Sequence, residues 1–229
     1  MSINIESIRA VIFDVDGLIV DTEEIYCDTF NQTLSHFGES IPRESYTRFV
    51  GVPVEENSRD VVTTYGLDIS PDAFRDRWMN HFEETISHPE KIALRPGIVQ
   101  LLSALRGRLP LAIASSTHRP RMLKTLRNGL LTRLEDTDSL DDVFAAIVSG
   151  TDVARNKPAP DIYLKAASLL ETNPGHCLVF EDSEAGVRAG AAAGMTVIAV
   201  PNFFTARQDH SAAHLTIESL EDALSLFTT

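Results

Sequence analysis

Five short apolar runs, each closing on a small, acidic or turn residue, constrain this chain more than any other feature of its sequence. They are IRAVIFD (8–14), LPLAIASS (109–116), VFAAIVSG (143–150), HCLVFED (176–182) and MTVIAV (195–200). Continuous apolar runs rich in β-branched residues suit strands covered on both faces, as in a parallel sheet. Helical stretches separate them. GIVQLLSALRG (97–107) places Ile98, Leu101, Leu102 and Leu105 on one face and closes at Gly107. PDIYLKAASLLE (160–171) opens on proline and aspartate and repeats Ile162, Ala166 and Leu169. SEAGVRAGAAAG (183–194) is small enough to lie close on a sheet. Strand alternating with helix predicts an α/β fold with a doubly wound parallel sheet.

Residues 18–90 break the alternation. No β-type run interrupts them, and they read as several helices: EEIYCDTFNQTLSHFG, RESYTRFVG, VEENSRDVVTTYG and PDAFRDRWMNHFEET. The span is too long for one crossover helix, so it is expected to form a helical insert over the sheet edge. The main domain would then comprise residues 1–17 and 91–229. Trp78 and Phe82, four residues apart, are expected to form part of the insert's packing core. With five arginines against fifteen acidic residues, the insert holds most of the chain's excess negative charge, read as a solvated face.

A length of 229 residues suits one large core with a smaller inserted unit, at about 150 residues per domain. The net charge of −13 argues against a nucleic-acid partner, which needs a basic face. Cys27 and Cys177 lack metal-type spacing and read as small buried hydrophobes in a reducing compartment. No basic leader or long apolar segment is present, so the expected location is cytoplasmic, with no membrane partner.

Ligands of open α/β sheets bind beyond the carboxyl ends of the strands. Asp14 and Asp16 stand at the end of the first strand, Ser115 and Ser116 at the end of the second, Lys157 after the third, and Glu181 and Asp182 at the fourth. If strand geometry persists, Asp14 and Asp16 point to one side, and two like charges so placed call for a cation. Asp14, Asp16 and Asp182 make an oxygen-only set that suits Mg²⁺. A carboxylate can then attack phosphorus, and a second one can protonate the leaving oxygen and later activate water. Residue types alone leave open which aspartate attacks. Ser115 and Lys157 would hold the phosphoryl oxygens.

The segments DVDGLIVDT, LAIASST, NKPAPDIY and VFEDSEAGVRAGAAAGM resemble, in order and placement, the four motifs of the haloacid dehalogenase-like phosphohydrolase superfamily. The insert is similar to the α-helical cap of its β-phosphoglucomutase and sugar-phosphate phosphatase branch. The resemblance implies a Rossmann-like core and the following roles. Asp14 is nucleophile and Mg²⁺ ligand; Asp16 is general acid/base and lends its backbone carbonyl to the metal. Ser115, with Ser116 beside it, and Lys157 bind phosphate. Asp182 is the last metal ligand, and Glu181 acts behind it or through water. Gly17 turns the chain into the linker to the cap, which would hinge near 17–21 and 90–97. A monomer is the implied state.

Within that family Asp16 argues against a dehalogenase, and the absence of lysine before Lys91 argues against a phosphonatase. β-Phosphoglucomutases carry an arginine in a cap loop that matches GVPVEE (51–56), where Val54 stands, and a histidine where Tyr26 stands. Arg48 or Arg59 could substitute for that arginine. The expectation is therefore an Mg²⁺-dependent phosphatase of a small phosphorylated metabolite, in particular a sugar phosphate. A β-phosphoglucomutase-type isomerase is the alternative, and a non-catalytic phospho-accepting signalling module the more distant one.

Overall fold

The computed structural model describes residues 3–227. Six parallel strands form one sheet: β1 (Ala10–Phe13), β2 (Leu111–Ser115), β3 (Ala146–Ser149), β4 (Cys177–Glu181), β5 (Thr196–Ala199) and β6 (Leu215–Thr216). Their spatial order is β3-β2-β1-β4-β5-β6, so the sheet winds one way from β1 to β3 and the other way from β4 to β6. The reversal falls between β1 and β4, where a crevice opens at the carboxyl ends of the strands.

Both faces are dry because alternate side chains enter different cores. Val11, Phe13, Leu111, Ile113, Leu178, Phe180 and Ile198 face helices α5 (Ile98–Leu105), α6 (Arg119–Gly129) and α9 (Leu220–Leu224). Ala10, Ile12, Ala112, Ala114, Val179 and Val197 face α7 (Asp161–Leu169) and α8 (Glu184–Ala192). The alanines on the second face let α8, itself built of alanine and glycine, lie close to the sheet.

Three elements differ from the sequence reading. The run 143–150 becomes strand only at Ala146, because Val143 and Phe144 fill the core from the turn that precedes it. Of helix α6 the sequence marks only the end, since RNGLLTRLEDTDSLDD (127–142) reads as a helix end and a polar loop. The helix is short of apolar residues, but Met122, Leu126 and Leu130 recur every fourth position and are buried. Strand β6 has two residues, both exposed, and gives no apolar run to read.

Between β1 and β2 lie α1 (Thr22–Ser35), α2 (Arg43–Tyr46), α3 (Val54–Tyr65) and α4 (Pro71–Thr85). They enclose a third cluster around Phe30, Tyr46, Phe49, Phe74 and Trp78, joined by Phe204 from beyond β5. Phe82 and Ile86, near the end of α4, belong instead to the main core. Phe82 therefore fastens the helices to the sheet, whereas Trp78 packs among the helices as expected. The two connections run side by side: Val20 bridges Leu94, Asp21 N–H donates to Ala93 O at 2.9 Å and Arg95 N–H to Ile19 O at 3.0 Å. Among the described residues no helix is long and apolar enough to cross a membrane.

Phe30 is fully buried, with the rings of Tyr46, Phe49, Phe74 and Trp78 centred 4.9–5.7 Å away. Phe30→Ala should destabilise the protein by about 3–5 kcal/mol, measured by denaturant unfolding. A loss below about 1 kcal/mol would show that the helical layer does not unfold with the sheet.

Candidate active site

Each side chain singled out at a strand end reaches the same crevice, apart from Ser116, which is exposed. Asp14 follows β1 and is buried; its N–H still donates to Phe180 O at 3.1 Å, so the strand geometry persists through it. The chain then turns at Gly17, with φ +83°. Glycine is needed there twice over. The conformation disfavours a side chain, and a Cβ would lie 2.3 Å from Asp182 Oδ2.

The two aspartates have different surroundings. Asp16 is half-buried, and its Oδ2 accepts from Ser115 Oγ at 3.0 Å and Thr117 Oγ1 at 2.8 Å. Ser115 Oγ in turn accepts from Thr117 N–H at 3.0 Å. Asp14 Oδ1 is paired with the Lys157 ammonium. Lys157 reaches in from the loop after β3, ahead of a cis bond to Pro158. Its side chain is 6% exposed, and it also donates to Glu181 Oε1 at 2.6 Å and to Ala114 O at 2.9 Å. Its three protons thus have three acceptors.

Glu181 is fully buried with both oxygens occupied. Oε1 accepts from Lys157 and from Tyr163 OH at 2.8 Å, while Oε2 accepts from the N–H groups of Asp182 and Ser183 and from Ser183 Oγ at 2.9–3.0 Å. Burial alone would raise its pKa; the Lys157 charge and these donors outweigh it and hold the carboxyl below its ordinary value. The site leaves no spare room, since a Cβ on Gly186 would lie 1.6 Å from Glu181 Oε1.

Asp14 and Asp182 shift the other way. Burial is the main cause in both. It pushes Asp14 up to about 8 despite Lys157, helped by the charges of Glu181 and Asp16. It pushes Asp182 well above the carboxylate range, helped by Glu181 and Asp14. One oxygen from each of Asp14, Glu181 and Asp182 falls within a 4.8 Å group. A single lysine leaves this group short of positive charge. Among the described residues, no protein donor reaches Asp14 Oδ2 or Asp182 Oδ1. An all-oxygen set with two free carboxylate oxygens fits a hard divalent cation held by Asp14 and Asp182. The occupied Glu181 oxygens suit a supporting role.

Helix α1 brings Glu23 and Tyr26 to the same region. Burial, then the charges of Asp16, Asp21 and Asp14, push Glu23 up to about 8. Tyr26 stacks on Phe82 at 4.0 Å, and burial followed by the Asp16 charge raises its phenol. Val54 is half-buried at the edge of the helical cluster. Arg48 is exposed, over the Phe49 ring and 3.3 Å from Asp60, and Arg59 and His118 are exposed as well. Thr117, a hydroxyl after a strand that the sequence offers beside Ser116, joins the site, and so do Tyr163 and Asn202, which the sequence does not single out. Tyr163 is a polar residue on an otherwise apolar helix face. Asn202 lies just past β5, in a stretch where the sequence shows no motif.

Comparison with known proteins agrees with this arrangement. A family model for haloacid dehalogenase-like hydrolases matches residues 11–200. The chain is 31% identical over 223 residues to protein CbbY of Rhodobacter capsulatus, covering 94% of this chain and 95% of that one. It is 32% identical over 188 residues to the phosphorylated carbohydrates phosphatase of Thermotoga maritima, covering 82% of each. It is 30% identical over 213 residues to the bifunctional riboflavin kinase/FMN phosphatase of Arabidopsis thaliana, spanning 93% of this chain but 53% of that longer one. The crystal structure of CbbY from Rhodobacter sphaeroides in complex with phosphate superposes with a TM-score of 0.76 at 27% identity, over 97% of this chain and 100% of that one. The fold, the crevice and these matches together place the chain in the haloacid dehalogenase-like hydrolase family.

Proposed function

We propose that this protein is an Mg²⁺-dependent phosphatase of a small phosphomonoester, a sugar phosphate by class. The observation that carries the reading is the division of labour between the two aspartates. Asp14 is fixed by Lys157 beside the acidic group, and Asp16 is held by two hydroxyls in a more open position. Asp14 attacks phosphorus in line and forms an aspartyl-phosphate. Asp16 protonates the leaving oxygen, then takes a proton from the water that hydrolyses the acyl phosphate. Lys157 and Ser115 stabilise the phosphoryl oxygens, a role the exposed Ser116 does not share. Asp14, Asp182 and the Asp16 carbonyl would hold Mg²⁺, which would supply the positive charge that the acidic group lacks. The relatives named as phosphatases support this class of substrate.

Residues 18–90 form the cap in this reading, and residues 1–17 and 91–229 the core. The paired connections at Val20 and Leu94 support hinges at 17–21 and 90–97. Hydrolysis is favoured over mutase chemistry because Val54 offers no charge and Arg48 is turned to Asp60; of the two arginines that could substitute, this leaves the exposed Arg59.

The test is phosphate release from a panel of sugar phosphates and other small monoesters, with Mg²⁺ or with EDTA. Release should require the metal. Asp14→Asn should reduce it at least about a thousandfold, and Asp16→Asn by about 10²–10⁴-fold. Full-rate hydrolysis by Asp16→Asn would remove its acid/base role; no release from any substrate, with β-glucose 1-phosphate isomerised in the presence of a bisphosphate primer, would establish the mutase.

The Asp14 shift gives a second prediction. A carboxyl with a folded pKa of about 8 keeps a proton that the unfolded chain, near about 3.9, has released, so its contribution to stability falls as pH rises through this window. In EDTA, Asp14→Asn should melt above the wild type, by a margin that widens from pH 5 to pH 8. A margin that stays flat across that range would contradict the shift.

A further inference from the structure

We propose that Asn202 is a positioning residue of the cation site, holding the Asp182 carboxylate in its ligating orientation. The proposal rests on the reading of Asp182 as a metal ligand. Asn202 Nδ2 donates to Asp182 Oδ2 at 2.8 Å and to Gly17 O at 3.3 Å. It thereby joins the end of β4 to the turn that follows Asp16.

The orientation of this amide is set by its neighbours. Oδ1 of Asn202 accepts from Phe204 N–H at 2.8 Å and Thr205 N–H at 3.1 Å, and Asn202 N–H donates to Thr205 Oγ1 at 3.0 Å. A flipped amide would set its NH₂ against two N–H donors and its oxygen against a carboxylate and a carbonyl. Only the donor-to-Asp182 orientation satisfies every partner. The residue is 5% exposed, so water does not compete for these bonds. The turn is anchored from outside as well, because Phe204 is buried in the helical cluster against Tyr46.

The chemistry of the donor matters as much as its position. Lys157 already neutralises part of the Asp14–Glu181 pair. A second ammonium at Asp182 would cancel the charge the cation needs. A neutral amide steers one oxygen of Asp182 while leaving its charge, and its other oxygen, for the metal. With Gly17 reduced to a hydrogen on that side, the amide and the carboxylate meet without obstruction.

The experiment is titration calorimetry of Mg²⁺ into the full-length protein without substrate, alongside thermal unfolding in EDTA. Asn202→Ser retains a side-chain acceptor for the turn but cannot reach Asp182. Its Mg²⁺ Kd should rise about tenfold or more. Thr205→Val removes a different bond of the same turn and should keep the Kd within about twofold, whatever its melting temperature. Asn202→Thr makes the same comparison if the serine variant does not fold. Wild-type Kd in Asn202→Ser, or equal weakening in Thr205→Val, would overturn the proposal and leave Asn202 as a turn residue only. Failure of the wild type to bind Mg²⁺ would instead bring down the metal reading itself, and this inference with it.

Discussion

One ammonium nitrogen gathers the ends of the central strands. Lys157 comes from the loop after β3 and bonds to Asp14 beyond β1, to the Ala114 carbonyl in β2 and to Glu181 at the end of β4. Removed from water, such a charge is tolerable only when every proton finds an oxygen, and here each does. The same economy leaves a deliberate imbalance. Two carboxylates share one cation and a third, Asp182, has none, so the crevice is short of positive charge, which the proposed cation would supply.

Glu181 is the structural hinge of that arrangement. It is saturated by protein donors, and the surrounding sequence is shaped to saturate it: Ser183 opens α8, Tyr163 turns a hydroxyl inward from α7, and Gly186 has no side chain where the carboxylate lies. An acid so completely bonded is held below its ordinary pKa at a depth where burial pushes Asp14 and Asp182 up. With all three buried, the contrast follows from the Lys157 charge and the donors that Glu181 collects, against the negative charge of Glu181 that raises the other two.

What could be read from the sequence was whatever repeats or clusters along it. The apolar runs marked the strands of the parallel sheet other than β6, and the acidic, hydroxyl and lysine residues at their ends marked Asp14, Asp16, Ser115, Lys157, Glu181 and Asp182 because the topology gathers all strand ends at one edge. Thr117 was legible only as one hydroxyl among others after a strand, and Asn202 not at all. A threonine after a strand and an asparagine after a proline are ordinary turn residues, and their value comes from partners about 101 and 20 positions away. Helix α6 is legible only at its end because its polar face outweighs its buried one, and β6 is not legible because two residues do not make a pattern. Phe82 was assigned to the wrong core, since four-residue spacing shows that two side chains share a helix face but not where along the helix the neighbouring layer changes.

Phe204 bears on the opening proposed for the crevice. It belongs by chain position to the sheet domain and by packing to the helical layer, where it is 3% exposed among Phe30, Tyr46 and their neighbours. Lifting the helices off the sheet draws that ring into water, at a cost of about 1.5–3 kcal/mol. From this one side chain alone, the open form of the free protein would be a minor species, between about 8% and about 1% of molecules. Phe82, which fastens the helices to the main core, would have to leave with Phe204, so the proposed substrate entry would be set by two aromatic rings that cross between the layers in opposite directions.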